Sequence, residues 1–175
     1  MDKIKPTLVL TLICIIVSTL LVFANAITKE KIVQAEQEAL NKSLVSVLGD
    51  GTNPKASGYT SDDATVNGIY TDDKNQVAFE MTVDGYSKGG LYLLVGINEN
   101  GEVSGVSIIT ITETKGLGTK VQDDSFISQF IGATNTDYSF EKITGATFSS
   151  NGMKSAVDTA LTIYNEHKEE ILNGW

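Results

Sequence analysis

Residues 143–150 (ITGATFSS) carry the side chains best suited to chemistry in this 175-residue chain. They lie directly before a predicted long helix, and a helix N-terminus favours a phosphate group through its free N–H groups and its dipole. Gly145 and Ala146 would keep side-chain bulk away from an approaching ligand. The hydroxyl groups available there belong to Thr144, Thr147, Ser149 and Ser150.

An ordinary helix start would use the same residue types. Ser149 or Ser150 could cap the helix by accepting a hydrogen bond from its first turn. Short hydroxyl-rich motifs also occur often by chance. The segment alone therefore leaves a phosphate site and a simple helix cap as open interpretations. Two glycine-rich segments elsewhere bear on this choice, residues 84–90 (DGYSKGG) and 113–120 (ETKGLGTK).

The composition excludes several other kinds of site. The chain has one cysteine, Cys14, and one histidine, His167, so Cys–His catalysis, a histidine-rich metal site and a disulfide framework are all excluded. It contains no arginine and has a formal net charge of -9, which argues against a nucleic-acid partner. No phosphate-binding loop of the Walker type is present. We therefore expect neither catalytic residues nor a metal site.

Apolar patterns predict the elements that must position these segments. Residues 76–83 alternate as a half-buried strand, 91–97 form a strand buried on both faces, and 103–111 form the next strand. Asn98 and Gly101 bound a predicted hairpin turn. A short helix is expected over 124–131, capped by Asp123 or Asp124, then a turn and short strand over 135–142, then a helix to about Leu172. The order predicts an α+β domain with a twisted antiparallel sheet and flanking helices.

The N-terminal segment is predicted to anchor the chain in a lipid bilayer. Residues 8–26 are almost wholly apolar and just long enough to cross the hydrocarbon core. Residues 24–26 (ANA) also resemble a signal-peptidase site, so a cleaved signal peptide stays an alternative interpretation, although its apolar core would usually be shorter. Lys3 and Lys5 would hold the N-terminus in the cytoplasm. The predicted organisation is a cytoplasmic stub and single-pass anchor (1–26), a membrane-proximal helix (27–50) and an extracytoplasmic domain (51–175).

Several of these segments together resemble the FMN-binding domain family. Residues 144–147 (TGAT) are similar to its [ST]GAT signature, 113–118 to its ETPGLG loop, and 84–90 to its GY…GG turn before a VGI strand, here residues 95–97. The membrane helix also agrees. Lys115 stands where the family usually has proline, and Glu141 where an aspartate commonly opens the motif.

The resemblance implies one FMN per chain, joined by a phosphoester to Thr147 and attached by a separate flavin transferase. It further implies an electron-relaying subunit of a membrane-bound, ion-translocating Rnf-type complex, with other membrane subunits as partners. The glycine loop would let the flavin ring approach backbone, and a lysine could lie near the phosphate. The expected cofactor-binding residues besides Thr147 are Thr144, Gly145, Ala146, Ser149, Glu113, Thr114, Gly116, Leu117, Gly118 and Lys120.

Other functions remain open at this point. The family also contains a component of sodium-translocating NADH:quinone reductase, and a stand-alone extracytoplasmic flavin carrier would share the same motifs. A membrane-anchored structural protein without cofactor is a third possibility. Chain length favours the Rnf-type protein, because the quinone-reductase component is usually longer.

Overall fold

The computed structural model describes residues 5–173. A long helix is followed by a five-stranded sheet, two short helical segments and a second long helix. The elements are α1 (Lys5–Leu48), β1 (Lys55–Ala56), β2 (Val66–Thr71), β3 (Val77–Val83), β4 (Leu91–Ile97), β5 (Val103–Ile111), a 3₁₀ helix (Gly118–Gln122), α2 (Asp124–Ile127) and α3 (Thr147–Asn173).

The sheet is an antiparallel meander in which each strand pairs with the next along the chain. The turn after β4 returns the chain through Gly101, whose φ of 81° is left-handed and favours glycine. This confirms the predicted α+β class and the hairpin between β4 and β5. The segment before β2 contributes the two-residue strand β1.

Each face of the sheet is covered by a different helix. On one face, every second side chain of β3 and β4, including Phe79 and Leu93, packs with α3 in the main core. On the other face, Ala78 and Leu94 pack with the last turns of α1. The expected burial of β4 on both faces is therefore confirmed. The buried residues of α1 in this second cluster are Leu40, Leu44, Val47 and Leu48.

The chain divides into two compact units at residue 39. The first unit is the helical segment up to that point, and α1 contains an 18-residue stretch with a mean hydropathy of 2.7, long and apolar enough to cross a membrane. Its large apolar side chains between Leu8 and Phe23 are 48–71% exposed on all sides of the helix. A helix apolar all round suits a lipid environment. The second unit begins at Leu40 and contains the sheet and α3.

The predicted short helix is present but shorter than expected, and the predicted strand after it is wrong. The helix begins at Asp124 and ends at Ile127, and Asp123 at its N-cap makes no side-chain capping hydrogen bond. Residues 135–142 contain no strand. Instead, the Tyr138 ring packs edge-on against Phe130 and the Phe140 ring packs tilted against it. Aromatic packing, and not strand pairing, therefore fixes this segment.

Candidate functional site

Three segments that are distant in sequence enclose a cavity of about 290 Å³ at the N-terminal end of α3. They are the turn at 84–90, the loop at 113–118 and the start of the helix with the residues before it. The lining residues are Tyr86, Glu113, Thr114, Leu117, Gly118, Gly145, Ala146, Phe148 and Ser149. The structure thus brings together the hydroxyl-rich segment and both glycine-rich segments singled out from the sequence.

The carboxylate of Glu113 joins these segments at the cavity. Its side chain is buried, with 7% of the residue exposed. The backbone N–H of Tyr86 donates to Oε2 and that of Ser87 to Oε1, each at 3.0 Å. The Ser149 hydroxyl in α3 also donates to Oε2. Both carboxylate oxygens are therefore engaged by protein donors.

Burial raises the pKa of Glu113, but the hydrogen bonds from Ser149, Ser87 and Tyr86 lower it by more, so the pKa lies below its ordinary value. Donors aimed at a carboxylate stabilise its charged form. The residue is therefore ionised at neutral pH and places a negative charge beside the cavity.

Three glycines leave room for this carboxylate. A Cβ built on Gly85 would lie 2.6 Å from Oε1 of Glu113, and one on Gly118 would lie 2.8 Å from its Cβ. A Cβ on Gly90 would also overlap Oε1. These glycines are required for close packing around Glu113, which gives Gly118 a structural reason beyond any contact with a ligand.

The helix α3 begins at Thr147, and Ser150 N donates to the carbonyl of Ala146 at 2.9 Å. The prediction that Ser149 or Ser150 caps the helix is therefore wrong. Both serines lie inside the first turn and are buried, and Ser150 Oγ accepts from Ile143 N at 3.1 Å. The Ser150 contact holds the preceding segment against the helix, and the Ser149 hydroxyl contacts Glu113.

Thr147 differs from these serines because its side chain is exposed. It does not line the cavity, but its neighbours Ala146 and Phe148 do. Gly145 has a φ of 83°, and a Cβ there would approach Leu117 Cδ1 to 3.0 Å, so glycine is needed for the turn that presents Thr147.

Three further predicted residues do not line the cavity. Thr144, Gly116 and Lys120 are exposed and do not line the cavity. The N–H of Gly116 donates to Thr119 Oγ1 at 2.9 Å, which stabilises the loop. Glu141, at the head of the segment, is held by Gln129, whose amide oxygen accepts from its backbone N–H at 2.8 Å.

Two aromatic residues that were not among the expected cofactor-binding residues form the outer wall of the cavity. Tyr86 is 74% exposed and Phe148 is 65% exposed, and their rings meet edge-to-face with centroids 6.3 Å apart. Large aromatic side chains exposed beside a cavity are typical of a binding surface. The available sequence clue was an aromatic residue directly after the candidate threonine.

A larger cleft of about 420 Å³ lies elsewhere on the second unit. Its lining includes the acidic residues Asp62, Asp63, Asp158 and Glu166. These negatively charged carboxylates would repel a phosphate group, which is also negative. The cavity beside Thr147 is therefore the better candidate for a phosphate-bearing ligand.

Comparison with known proteins shows which family the chain resembles. A family model described as "FMN-binding domain" matches residues 85–162, which include all three segments of the site except Asp84. The G subunit of the ion-translocating oxidoreductase complex of Shewanella piezotolerans is 28% identical, over 98% of this chain and 94% of that protein. The corresponding G subunit of Vibrio cholerae is 30% identical, over 97% of this chain and 93% of its own length. The chain belongs to this family of G subunits.

The same fold is found in a solved structure. The C subunit of the Na⁺-translocating NADH-quinone reductase from Parabacteroides distasonis aligns with a TM-score of 0.54 at 14% identity. The alignment covers 79% of this chain and 96% of that one. At this identity the likeness concerns the fold alone.

Proposed function

We propose that the chain is an electron-transfer subunit of an Rnf-type ion-translocating oxidoreductase complex, and that it carries one FMN joined by a phosphoester to Thr147. The observation that carries the proposal is the placement of an exposed Thr147 at the start of α3, between residues that line a partly apolar cavity. Membership of the G-subunit family supports the same function.

The cavity fits the ring system of FMN better than its phosphate. Its volume of about 290 Å³ is near the lower end of the range for small-molecule sites, roughly 300–1,000 Å³. Leu117, Tyr86 and Phe148 supply apolar and aromatic surface suited to a flat ring. The charge on Glu113 opposes a phosphate deep in the cavity. The phosphate is therefore assigned to the helix N-terminus at Thr147, where the first-turn N–H groups and the dipole favour an anion.

The accessible hydroxyl groups distinguish Thr147 from the nearby serines. Ser149 and Ser150 are at most 1% exposed and their hydroxyls are engaged, so neither is available for modification. Thr144 and Thr147 are both exposed. Ester formation joins Thr147 Oγ1 to the FMN phosphorus, with loss of the hydroxyl proton and of the leaving group from an activated flavin nucleotide. A separate flavin transferase would hold that donor.

The bound flavin would accept and pass on electrons, while the chain supplies position and electrostatic surroundings. No catalytic residue of this subunit is required. The exposed aromatic wall at Tyr86 and Phe148 leaves one side of the site open to a redox partner. The partners would be other membrane subunits of the complex.

The membrane anchor and the covalent ester together would keep the flavin at the membrane. With residues 8–26 in the bilayer and Lys3 and Lys5 on the cytoplasmic side, the FMN-binding domain is placed outside the cytoplasm. A dissociable flavin would be diluted there. A covalent bond retains it without the arginine contacts that this chain lacks.

A denaturing gel viewed under ultraviolet light tests the attachment site. Full-length wild type, Thr147→Ala and Thr144→Ala are co-expressed with a flavin transferase. We expect fluorescent bands for wild type and Thr144→Ala and none for Thr147→Ala, with a phosphoester of FMN found by mass spectrometry on the peptide containing Thr147. The two threonines are exposed and three positions apart, so they form a matched pair. Fluorescence that persists in Thr147→Ala would reject the site.

Membership of a complex requires a separate measurement. Membranes are solubilised in a mild detergent and the tagged chain is purified. We expect several multi-span membrane proteins to co-purify in fixed ratio. A flavin-bearing chain that is purified alone under conditions that keep other membrane complexes intact would instead indicate a stand-alone carrier.

A further inference from the structure

We propose that Glu113 is a positioning residue that assembles the flavin site before any flavin is bound. This inference rests on the proposed function, because it concerns the same cavity. The family resemblance places Glu113 among the expected ligand contacts. The geometry points to a different role, since its two carboxylate oxygens already accept three hydrogen bonds from the protein.

The three donors come from two of the segments that enclose the cavity, and Glu113 itself belongs to the third. Tyr86 and Ser87 lie 27 and 26 residues away in the chain, and Ser149 lies 36 residues away. One buried side chain therefore fixes the turn, the loop and the helix start relative to one another. Thr147, which lies two residues before Ser149, is positioned by the same contact.

Packing makes this arrangement specific to a side chain of this length. Gly85, Gly90 and Gly118 surround the carboxyl group, and a Cβ on any of them would overlap an atom of Glu113 or of its partner Ser149. The carboxylate therefore fills the space between these glycines, and a larger side chain at position 113 would not fit. A shorter side chain would leave the three donors without an acceptor, and an unpaired buried N–H is costly.

Only a carboxylate can satisfy these donors together. The N–H of Tyr86 points at Oε2 and the N–H of Ser87 at Oε1. A glutamine has the same shape, but its amide NH₂ must face one of these N–H groups in either orientation. Glu113→Gln therefore loses at least one hydrogen bond and creates a donor–donor contact, although its volume is unchanged.

The charge makes site assembly sensitive to acid. The pKa of Glu113 is lowered from 4.5 in the folded chain, because its hydrogen bonds outweigh the raising effect of burial. Its contribution is therefore fully present above about pH 4.5 and is lost as the pH falls through the lowered value. The turn facing it contains Asp84, Tyr86 and Lys88, and its own loop contains Lys115. Residues 147–153 of α3 contain no titratable side chain.

Asp84 supplies a matched control within the same turn. Its Oδ1 accepts from Gly89 N at 2.6 Å, and its side chain is exposed. Asp84→Asn removes one negative charge but keeps an oxygen that can accept this bond. A general effect of charge or of acid on the turn would therefore appear in Asp84→Asn as well as in Glu113→Gln.

The test uses the full-length chain in detergent, expressed without transferase so that no flavin is attached. Backbone hydrogen exchange over residues 84–90 is measured by mass spectrometry at neutral pH and at successively lower pH values, corrected for intrinsic rates. We expect at least tenfold faster exchange for Glu113→Gln at neutral pH and little change for Asp84→Asn. Wild type should approach the variant at low pH.

Flavin loading is then compared in the same variants with transferase present. We expect Glu113→Gln to load at least tenfold less flavin than wild type and Asp84→Asn to load normally. Unchanged exchange and loading in Glu113→Gln would overturn the positioning role. If exchange responds as expected while even wild type acquires no flavin, the proposed function fails and the positioning role of Glu113 stands.

Discussion

Replacement of Leu44 by alanine should destabilise the sheet-containing unit, although Leu44 belongs to the long helix that begins in the apolar N-terminal segment. It is 2% exposed and packs with Ala78 and Leu94 on the face of the sheet opposite α3. Its neighbour Val45 is 36% exposed. The two positions are adjacent in one helix but lie on different faces, so they form a matched pair.

The size of the effect follows from the burial. Leu44→Ala removes three carbon atoms, worth about 2.4 kcal/mol at roughly 0.8 kcal/mol per buried CH₂. The cavity that remains brings typical buried Leu→Ala losses to about 3–5 kcal/mol. We expect about 3 kcal/mol, because the site lies near the helix end. Val45→Ala should change the free energy of unfolding by about 0.5 kcal/mol or less.

The assay is urea unfolding of a soluble fragment, residues 29–175, followed by circular dichroism. With a slope of about 2 kcal/mol per molar urea, Leu44→Ala should lower the midpoint by about 1.5 M. Val45→Ala should leave the midpoint almost unchanged. Equal midpoints for the two variants would show that the end of α1 does not belong to the folded unit, and the boundary at residue 39 would then be misplaced.

Two further predictions concern the site. Gly118→Ala should lower stability by about 1–3 kcal/mol through overpacking, because the new Cβ would lie 2.7 Å from Ser149 Oγ and 2.8 Å from Glu113 Cβ; thermal unfolding measures this, and a melting temperature equal to that of wild type would contradict it. Phe148→Ala should leave stability within about 0.5 kcal/mol, because the ring is 65% exposed. In the flavin-loaded protein, Phe148→Ala should increase quenching of flavin fluorescence by iodide, because the ring would no longer shield the flavin. Unchanged quenching would exclude Phe148 from the flavin's surroundings.

The sheet could be predicted from the sequence because its pattern is local. Residues 76–83 alternate at most positions, and 91–97 are apolar at nearly every position, so burial on one or both faces follows from the period of a strand. The hairpin at Asn98 to Gly101 follows from turn chemistry. The long helices were likewise predicted, α3 from apolar periodicity and the first part of α1 from its unbroken apolar run. Neither pattern could place the residues from Leu40 onward in a unit with the sheet.

The start of α3 and the segment before it were less predictable. Ser149 and Ser150 are residue types that commonly cap helices, but the helix begins earlier at Thr147 and buries both serines. Their hydroxyls have partners in the tertiary structure, and those contacts outweigh the local preference. Residues 135–142 were predicted to contain a strand for a similar local reason, whereas aromatic packing around Phe130 fixes them without strand pairing.

Neighbouring residues along the chain were enough to specify the apolar N-terminal helix and the antiparallel sheet, and the family resemblance connected three segments with a flavin site. The roles within the site came instead from the folded arrangement: Thr147 is exposed, Ser149 is buried, and Glu113 is occupied by donors 26–36 residues away. Burial and hydrogen bonding between distant segments depend on how those segments pack, and this packing cannot be predicted from the sequence pattern of any one segment.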